Sequence, residues 1–125
     1  MTENSCYLSA TEAIEGFKNS SLSPVDLMRA IIERSERVET HINAFTDTYF
    51  DEALELAGQA ELRYQKGTQR PLEGIALAVK DEFKLAGTRR TSSSLIYKNQ
   101  VDNETDVLIQ RLLDAGAIVH RLVAR

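Results

Sequence analysis

Few residues of this chain are placed to do chemistry, and Lys80 is the one that stands out. It directly follows Ile75-Ala76-Leu77-Ala78-Val79, a continuous apolar run. Such a run suits a strand buried on both faces, in a sheet covered by helices. In sheets of that kind, ligand sites gather at the carboxyl ends of the strands. A lysine held there loses hydration, which disfavours the ammonium form and lets the amine act as a base. Taken alone, however, Lys80-Asp81-Glu82 reads as a solvated exit from the core.

The other reactive types are scattered. His41 and His120 are 79 residues apart, and neither sits at ligand spacing from another donor, so no metal site is expected. His41 reads as a loop residue and His120 as a strand end. Cys6 is the single cysteine, which excludes an internal disulfide and a thiolate metal site. The six glycines, at 16, 58, 67, 74, 87 and 116, form no phosphate-cradling loop, and no cofactor is implied. There is no nucleophile elbow of the Ser-His-Asp hydrolases. Arg89-Arg90 reads as a solvated pair. Ser92-Ser93-Ser94 reads as a polar loop, and none of the three is assigned as a nucleophile.

The elements that must position Lys80 follow from caps and periodicity. Ser9-Ala10-Thr11-Glu12 matches a capping box, and Ala10, Ala13, Ile14 and Phe17 follow at helical spacing, predicting a helix over about 10–18. Residues 1–8 read as a loose start. Ser23-Pro24 opens a second helix, over about 24–39, with a stripe at Leu27, Ala30 or Ile31, Arg34 and Val38. His41 to Thr46 reads as extended or looped. A third helix runs from about Asp51 to Lys66, with Ala53, Leu56, Ala57, Ala60 and Tyr64 on one face and Gly67 at its end. Residues 1–70 thus read as an all-helical layer.

The character changes at Pro71, and residues 71–125 read as the start of a sheet core. After the strand at 75–79, residues 84–103 are loop-like. Asp102 or Asn103 caps a further helix with Val107, Leu108, Leu112 and Ala115 inward and Gly116 closing it. Ala117-Ile118-Val119 forms the next strand. Strand, helix and strand in that order imply a parallel pair. The fold class is therefore α/β: N-terminal helices, then the first strand-helix-strand unit of a larger sheet, all within one partial domain over 1–125.

Composition bounds the function. The chain has 125 residues, 42% of them hydrophobic, which is globular and not disordered. The formal charge of −4 argues against bulk-charge binding to nucleic acid or anionic lipid. The N-terminus lacks the basic and apolar regions of a secretory signal, and the longest strictly apolar run is the five residues of 75–79, too short to span a membrane. A cytoplasmic setting is expected.

Pro71-Leu72-Glu73-Gly74-Ile75-Ala76-Leu77-Ala78-Val79-Lys80-Asp81 resembles the "P-L-x-G-I-P-v-a-V-K-D" segment of the amidase signature family. Further parts match in order: Ser23 to Leu27, Asn43-Ala44-Phe45, Glu52-Ala53-Leu54, Gly87-Thr88 with Thr91 to Ser94, and Asp106 through Ala115-Gly116-Ala117-Ile118-Val119. The family comprises hydrolases of carboxylic amides and includes the A subunit of the glutamyl-tRNA amidotransferase. The resemblance implies a mixed central sheet covered by helices on both sides. It also implies a Ser–cis-Ser–Lys mechanism in which Lys80 is the base.

The departures are specific. Both family serines lie in a Gly-Gly-Ser-Ser-Gly-Gly-type segment, and these 125 residues contain none. Ala76 stands where the family has proline, and Ser93 where it has glycine. After His120 the family continues with a "G-K-T-N"-like stretch, whereas Arg121-Leu122-Val123-Ala124-Arg125 matches nothing in it. The expectation is an amidase-family fragment, inactive alone, acting on a small-molecule amide as part of a complete enzyme. The alternatives are a non-enzymatic assembly module or pseudoenzyme, and, within the family, an amidotransferase A-subunit-like part. A partial sheet leaves edges unpaired, so self-association is a further expectation.

Overall fold

A computed structural model of the chain describes residues 3–123. Helix α1 spans Ala10–Lys18, α2 Pro24–Ile42 and α3 Phe50–Lys66. Their starts are local in origin. Ser9 Oγ accepts from the Glu12 N–H at 3.1 Å, and Glu12 reaches back to the Ser9 N–H, closing the capping box. Ser23 Oγ accepts from the Asp26 N–H, with Pro24 at the first position of α2, where its missing N–H costs nothing. Helix α3 stops at Gly67, whose φ of 71° is left-handed. Of the expected loose start over 1–8, residues 3–7 form a short 3-10 helix, and residues 1 and 2 lie outside the described residues.

Two expectations for this half are corrected. Helix α2 continues to Ile42, so His41 lies in its last turn and not in a loop; Asn43, at φ 48°, ends it. The half is also not all-helical. Strand β1, Phe45–Thr48, follows α2 and pairs antiparallel with β3, Ile118–Val123, near the far end of the chain. Four residues carry too little periodicity to reveal a strand whose partner is that distant.

Strand β2, Ala76–Lys80, runs parallel to β3, and the sheet order is β1-β3-β2. The last strand in sequence is therefore the central one, and it extends four residues past the expected Val119. Residues Arg121 to Val123 complete it, while Ala124 and Arg125 lie outside the described residues. The parallel pair holds as expected, but β2 is an edge strand. Val79 is buried while Ala78 and Lys80 are exposed, so the apolar run is not covered on both faces. Helix α4, Val107–Asp114, begins after Asp106, not at Asp102 or Asn103. It turns Ile109 inward, with Leu113 packed against the same core cluster. Val107 and Leu108 are exposed, so the predicted face is rotated.

The sheet separates two layers, giving an α/β fold with helices on both faces of a mixed sheet. On one face Ile118 packs with Met28 and Ile32 of α2 and Ala53 and Ala57 of α3. The buried α3 alanines let the neighbouring elements approach closely. A neighbouring cluster joins Ala13, Phe17 and Leu27 to Tyr64 and Ile75. On the other face Val79, Leu122 and Val119 meet Ile109 and Leu113. Each fully buried aliphatic side chain contributes about 1.5–3 kcal/mol.

Ile118 and Leu122 face opposite layers although they are four residues apart. The register explains it. Leu77 pairs with Val119 and Ala78 with Arg121, so His120 is an extra, bulged residue. Beyond the bulge every side chain of β3 changes face.

Candidate functional site

Lys80 is the last residue of β2. The chain leaves the sheet there through a tight turn: the Asp81 N–H donates to Val123 O at 2.8 Å, and the Phe83 N–H donates to Lys80 O at 3.1 Å. The Lys80 side chain is 48% exposed and pairs with Glu82 at 3.3 Å. The desolvated lysine expected for the end of a buried strand is thus replaced here by a solvent-facing one, because β2 is an edge.

The neighbouring Asp81 is buried. Its carboxylate accepts from the Thr91 N–H at 3.0 Å and from the Thr91 hydroxyl. This clamps the loop that carries Ser92, Ser93 and Ser94 against the end of β2. A second clamp closes the loop's base. Arg90 donates from Nε to Asp102 at 2.8 Å and from Nη2 at 3.2 Å. These hydrogen bonds hold the Asp102 carboxyl below the usual carboxylate range, against the opposing effect of burial. Backbone bonds from Gly87 to Asp102 O and from Arg90 to Gln100 O tie the same strip. Arg89 reaches across to Asp47 of β1 at 3.2 Å. Arg89 and Arg90 are therefore structural clamps, not a merely solvated pair.

The three serines are not presented to Lys80. Ser92 and Ser93 have left-handed backbone, with φ of 49° and 61°. Ser94 caps the short 3-10 helix Leu95–Tyr97 by accepting from the Ile96 N–H. Among the described residues no hydrogen bond joins Lys80 to any of them. His120 lies within β3, buried at the bulge, rather than at a strand end. Its Nδ1 donates to Leu77 O at 3.0 Å. Burial, and secondarily the Arg121 charge, press its pKa down to about 4. His41 contacts the Thr40 hydroxyl at the end of α2. Among the described residues no helix is long and apolar enough to cross a membrane.

Sequence reasoning missed Asp81, Thr91, Arg90 and Asp102 as a connected unit. The only advance signal was that Asp81 and Thr91 fall inside separate pieces of the family pattern. It also missed Glu73, which is 1% exposed and held by Arg70 at 2.7 Å and Arg63 at 3.5 Å.

The sequence profile of the amidase family matches residues 26–120. The chain belongs to the amidase family. The matched stretch takes in Lys80, Asp81, Thr91, Arg90 and Asp102, so the whole clamp is an amidase segment, while Arg121 falls just beyond it. Among curated amidase relatives, the A subunit of the glutamyl-tRNA(Gln) amidotransferase of Carboxydothermus hydrogenoformans is 33% identical over 113 residues. That alignment takes 90% of this chain but 23% of the relative, so the chain spans about a quarter of the length of the curated proteins it matches. Among solved structures, a chain of the vestigial protein complex that reveals the evolutionary origins of an s-triazine catabolic enzyme superimposes with a TM-score of 0.82 at 28% identity. It covers 94% of this chain and 25% of that one. Fatty acid amide hydrolase superimposes with a TM-score of 0.90 at 20% identity, over 98% of this chain and 22% of its own, a likeness of fold.

Proposed function

We propose that this chain supplies the lysine-bearing N-terminal portion of an amide hydrolase, with Lys80 as the catalytic base. The observation that carries the reading is the Val79-Lys80-Asp81 segment at the carboxyl end of β2, inside a family match that runs in order along the chain. In the proposed reaction a neutral Lys80 takes a proton from a bridging serine. That serine takes one from the nucleophilic serine, which attacks the amide carbonyl. The amine leaves with a proton, and water then hydrolyses the acyl-enzyme to release the carboxylic acid. Both serines would come from a Gly-Gly-Ser-Ser-Gly-Gly segment, which these 125 residues do not contain. Asp81 is the positioning residue, since its bonds to Thr91 fix the turn on which Lys80 stands.

A covering segment would also change the surroundings of Lys80. Ala78 and Lys80 are exposed along the outer edge of the sheet, and Leu95 and Ile96 are 87% exposed on the adjoining loop. A further strand laid beside β2 would bury that edge and remove the water around Lys80. The same features favour a second reading, a non-enzymatic assembly module that self-associates through the open edge. Within the family, the 33% identity to an amidotransferase relative favours an A-subunit-like role.

The test is ammonia release from a panel of primary carboxamides. The 125-residue chain alone is expected to release none. Addition of an amidase portion carrying the paired serines is expected to restore turnover, and Lys80→Ala in this chain to abolish it again. Hydrolysis by the chain alone that Lys80→Ala removes would overturn the expected inactivity. Restored turnover that survives Lys80→Ala would overturn the assignment of the base.

A further inference from the structure

The bulge at His120 has an effect on the opposite side of the sheet from α4. It turns Arg121 toward α2, where Nη1 donates to the Ser35 hydroxyl and the guanidinium stacks 3.9 Å from the Phe45 ring centroid. Arg121 Nε is sealed from solvent and makes no hydrogen bond among the described residues. No described carboxylate forms an ion pair with this arginine. Burial disfavours its charge, and Glu39 offsets part of that cost from a distance. Glu39 is itself committed through Oε1 to the Phe45 N–H at 2.9 Å, and its Oε2 is unpartnered.

Beside Arg121 a cleft of about 280 Å³ opens between α2, β1 and β3. Its walls include Ile31, Val38, Ile42 and Phe45, and among the described residues the charged ones lining it are Arg34 and Arg121. Apolar sides beside the Arg121 guanidinium, which no described carboxylate pairs, select an anion whose body is apolar. The cleft's volume is at the low end of small-molecule sites, too small for a nucleotide or a lipid. A guanidinium fork matches a carboxylate, and charge-assisted hydrogen bonds of that type are strong.

We propose that the α2–β1–β3 cleft binds a short-chain aliphatic carboxylate, its oxygens on the Arg121 guanidinium and its chain against Ile31, Val38 and Ile42. The site lies on the face away from α4, it uses a residue outside the family match, and it stands whether or not Lys80 is a catalytic base.

The test is titration of hexanoate into the 125-residue chain, followed by amide chemical shifts. Saturable binding is expected, with shifts concentrated in α2, Phe45 and Arg121. Hexanamide, which lacks the charge, is expected to bind about tenfold more weakly or worse, as is hexanoate to Arg121→Gln. Val38→Phe fills the cleft and keeps the arginine, so it reports on the site even where Arg121→Gln does not fold, and it too is expected to lose binding. Absence of saturable binding, equal binding of hexanamide, undiminished binding to Val38→Phe, or equal competition by inorganic phosphate would each overturn the proposal. The first of these would leave Glu39 as the group that balances Arg121.

Discussion

Gly116 lies against the backbone of Glu73: a Cβ at position 116 would sit 2.7 Å from Glu73 Cα and 2.8 Å from Glu73 N. The two segments are joined there, since the Gly74 N–H donates to Gly116 O at 3.1 Å and the Leu72 N–H donates to Ala115 O at 2.7 Å. This contact brings the turn before β2 onto the turn before β3 and sets the level at which the two strands begin to pair.

Gly116→Ala is therefore expected to destabilise the fold by about 2 kcal/mol or more. The φ of 104° is costly for any residue with a Cβ, and here the Cβ meets backbone, which cannot rotate away. Chemical denaturation measures it; a change under about 0.5 kcal/mol would show that the two turns can separate freely.

Glu73 should make stability fall in acid. Burial opposes its charge, but the Arg70 hydrogen bonds and the Arg70 and Arg63 charges outweigh burial and hold the carboxyl below its usual range. A lowered folded pKa means the contribution is fully present above the unfolded value of 4.5 and is lost as pH falls through the folded value. Arg70→Ala removes both guanidinium bonds, leaves the buried carboxylate with Arg63 and the backbone N–H of residue 70, and is expected to cost about 2 kcal/mol at neutral pH. Equilibrium denaturation at neutral pH and below pH 4.5 would reveal both effects. A variant as stable as the parent at neutral pH would refute the role of the pair.

His120 acts in a higher window. Its pKa is pressed from 6.5 down to about 4, so between those values the unfolded chain binds the extra proton. Stability is then complete above 6.5 and declines toward 4, by at most about 1.4 kcal/mol per pH unit. His120→Gln removes that slope. An NMR titration showing the ring protonating near 6.5 in the folded chain would contradict this placement.

Asp81→Ala removes both acceptors of Thr91 and should free the serine loop. The expected cost is about 2 kcal/mol, with amide exchange accelerating at Thr91 through Ser94 before it does in β2. Thr91→Val keeps the backbone bond and should cost about 1 kcal/mol. Unchanged exchange in the loop of Asp81→Ala would mean that Arg90 and Asp102 hold it without help.

What was legible in the residues alone is what a single turn of chain can decide. Ser9 with Glu12, Ser23 with Pro24, and Gly67 place helix ends through bonds to residues three or four away. The Val79-Lys80-Asp81 segment marked the lysine and the family because its meaning lies in adjacent residues. The parallel pairing of β2 with β3 was legible too, from the strand-helix-strand order, but its register, the third strand and the side-chain partners were settled only by folding. Phe45 to Thr48 became a strand because Arg121 to Val123 arrived beside it, and that made β3 the centre and left β2 at an edge with Lys80 in water. Asp102 was committed to Arg90 instead of capping α4. One extra residue at His120 chose which face Arg121 would occupy. Side chains alternate with every residue of a strand, so a single-residue shift in register reverses their direction, and register is a property of two strands that neither contains alone.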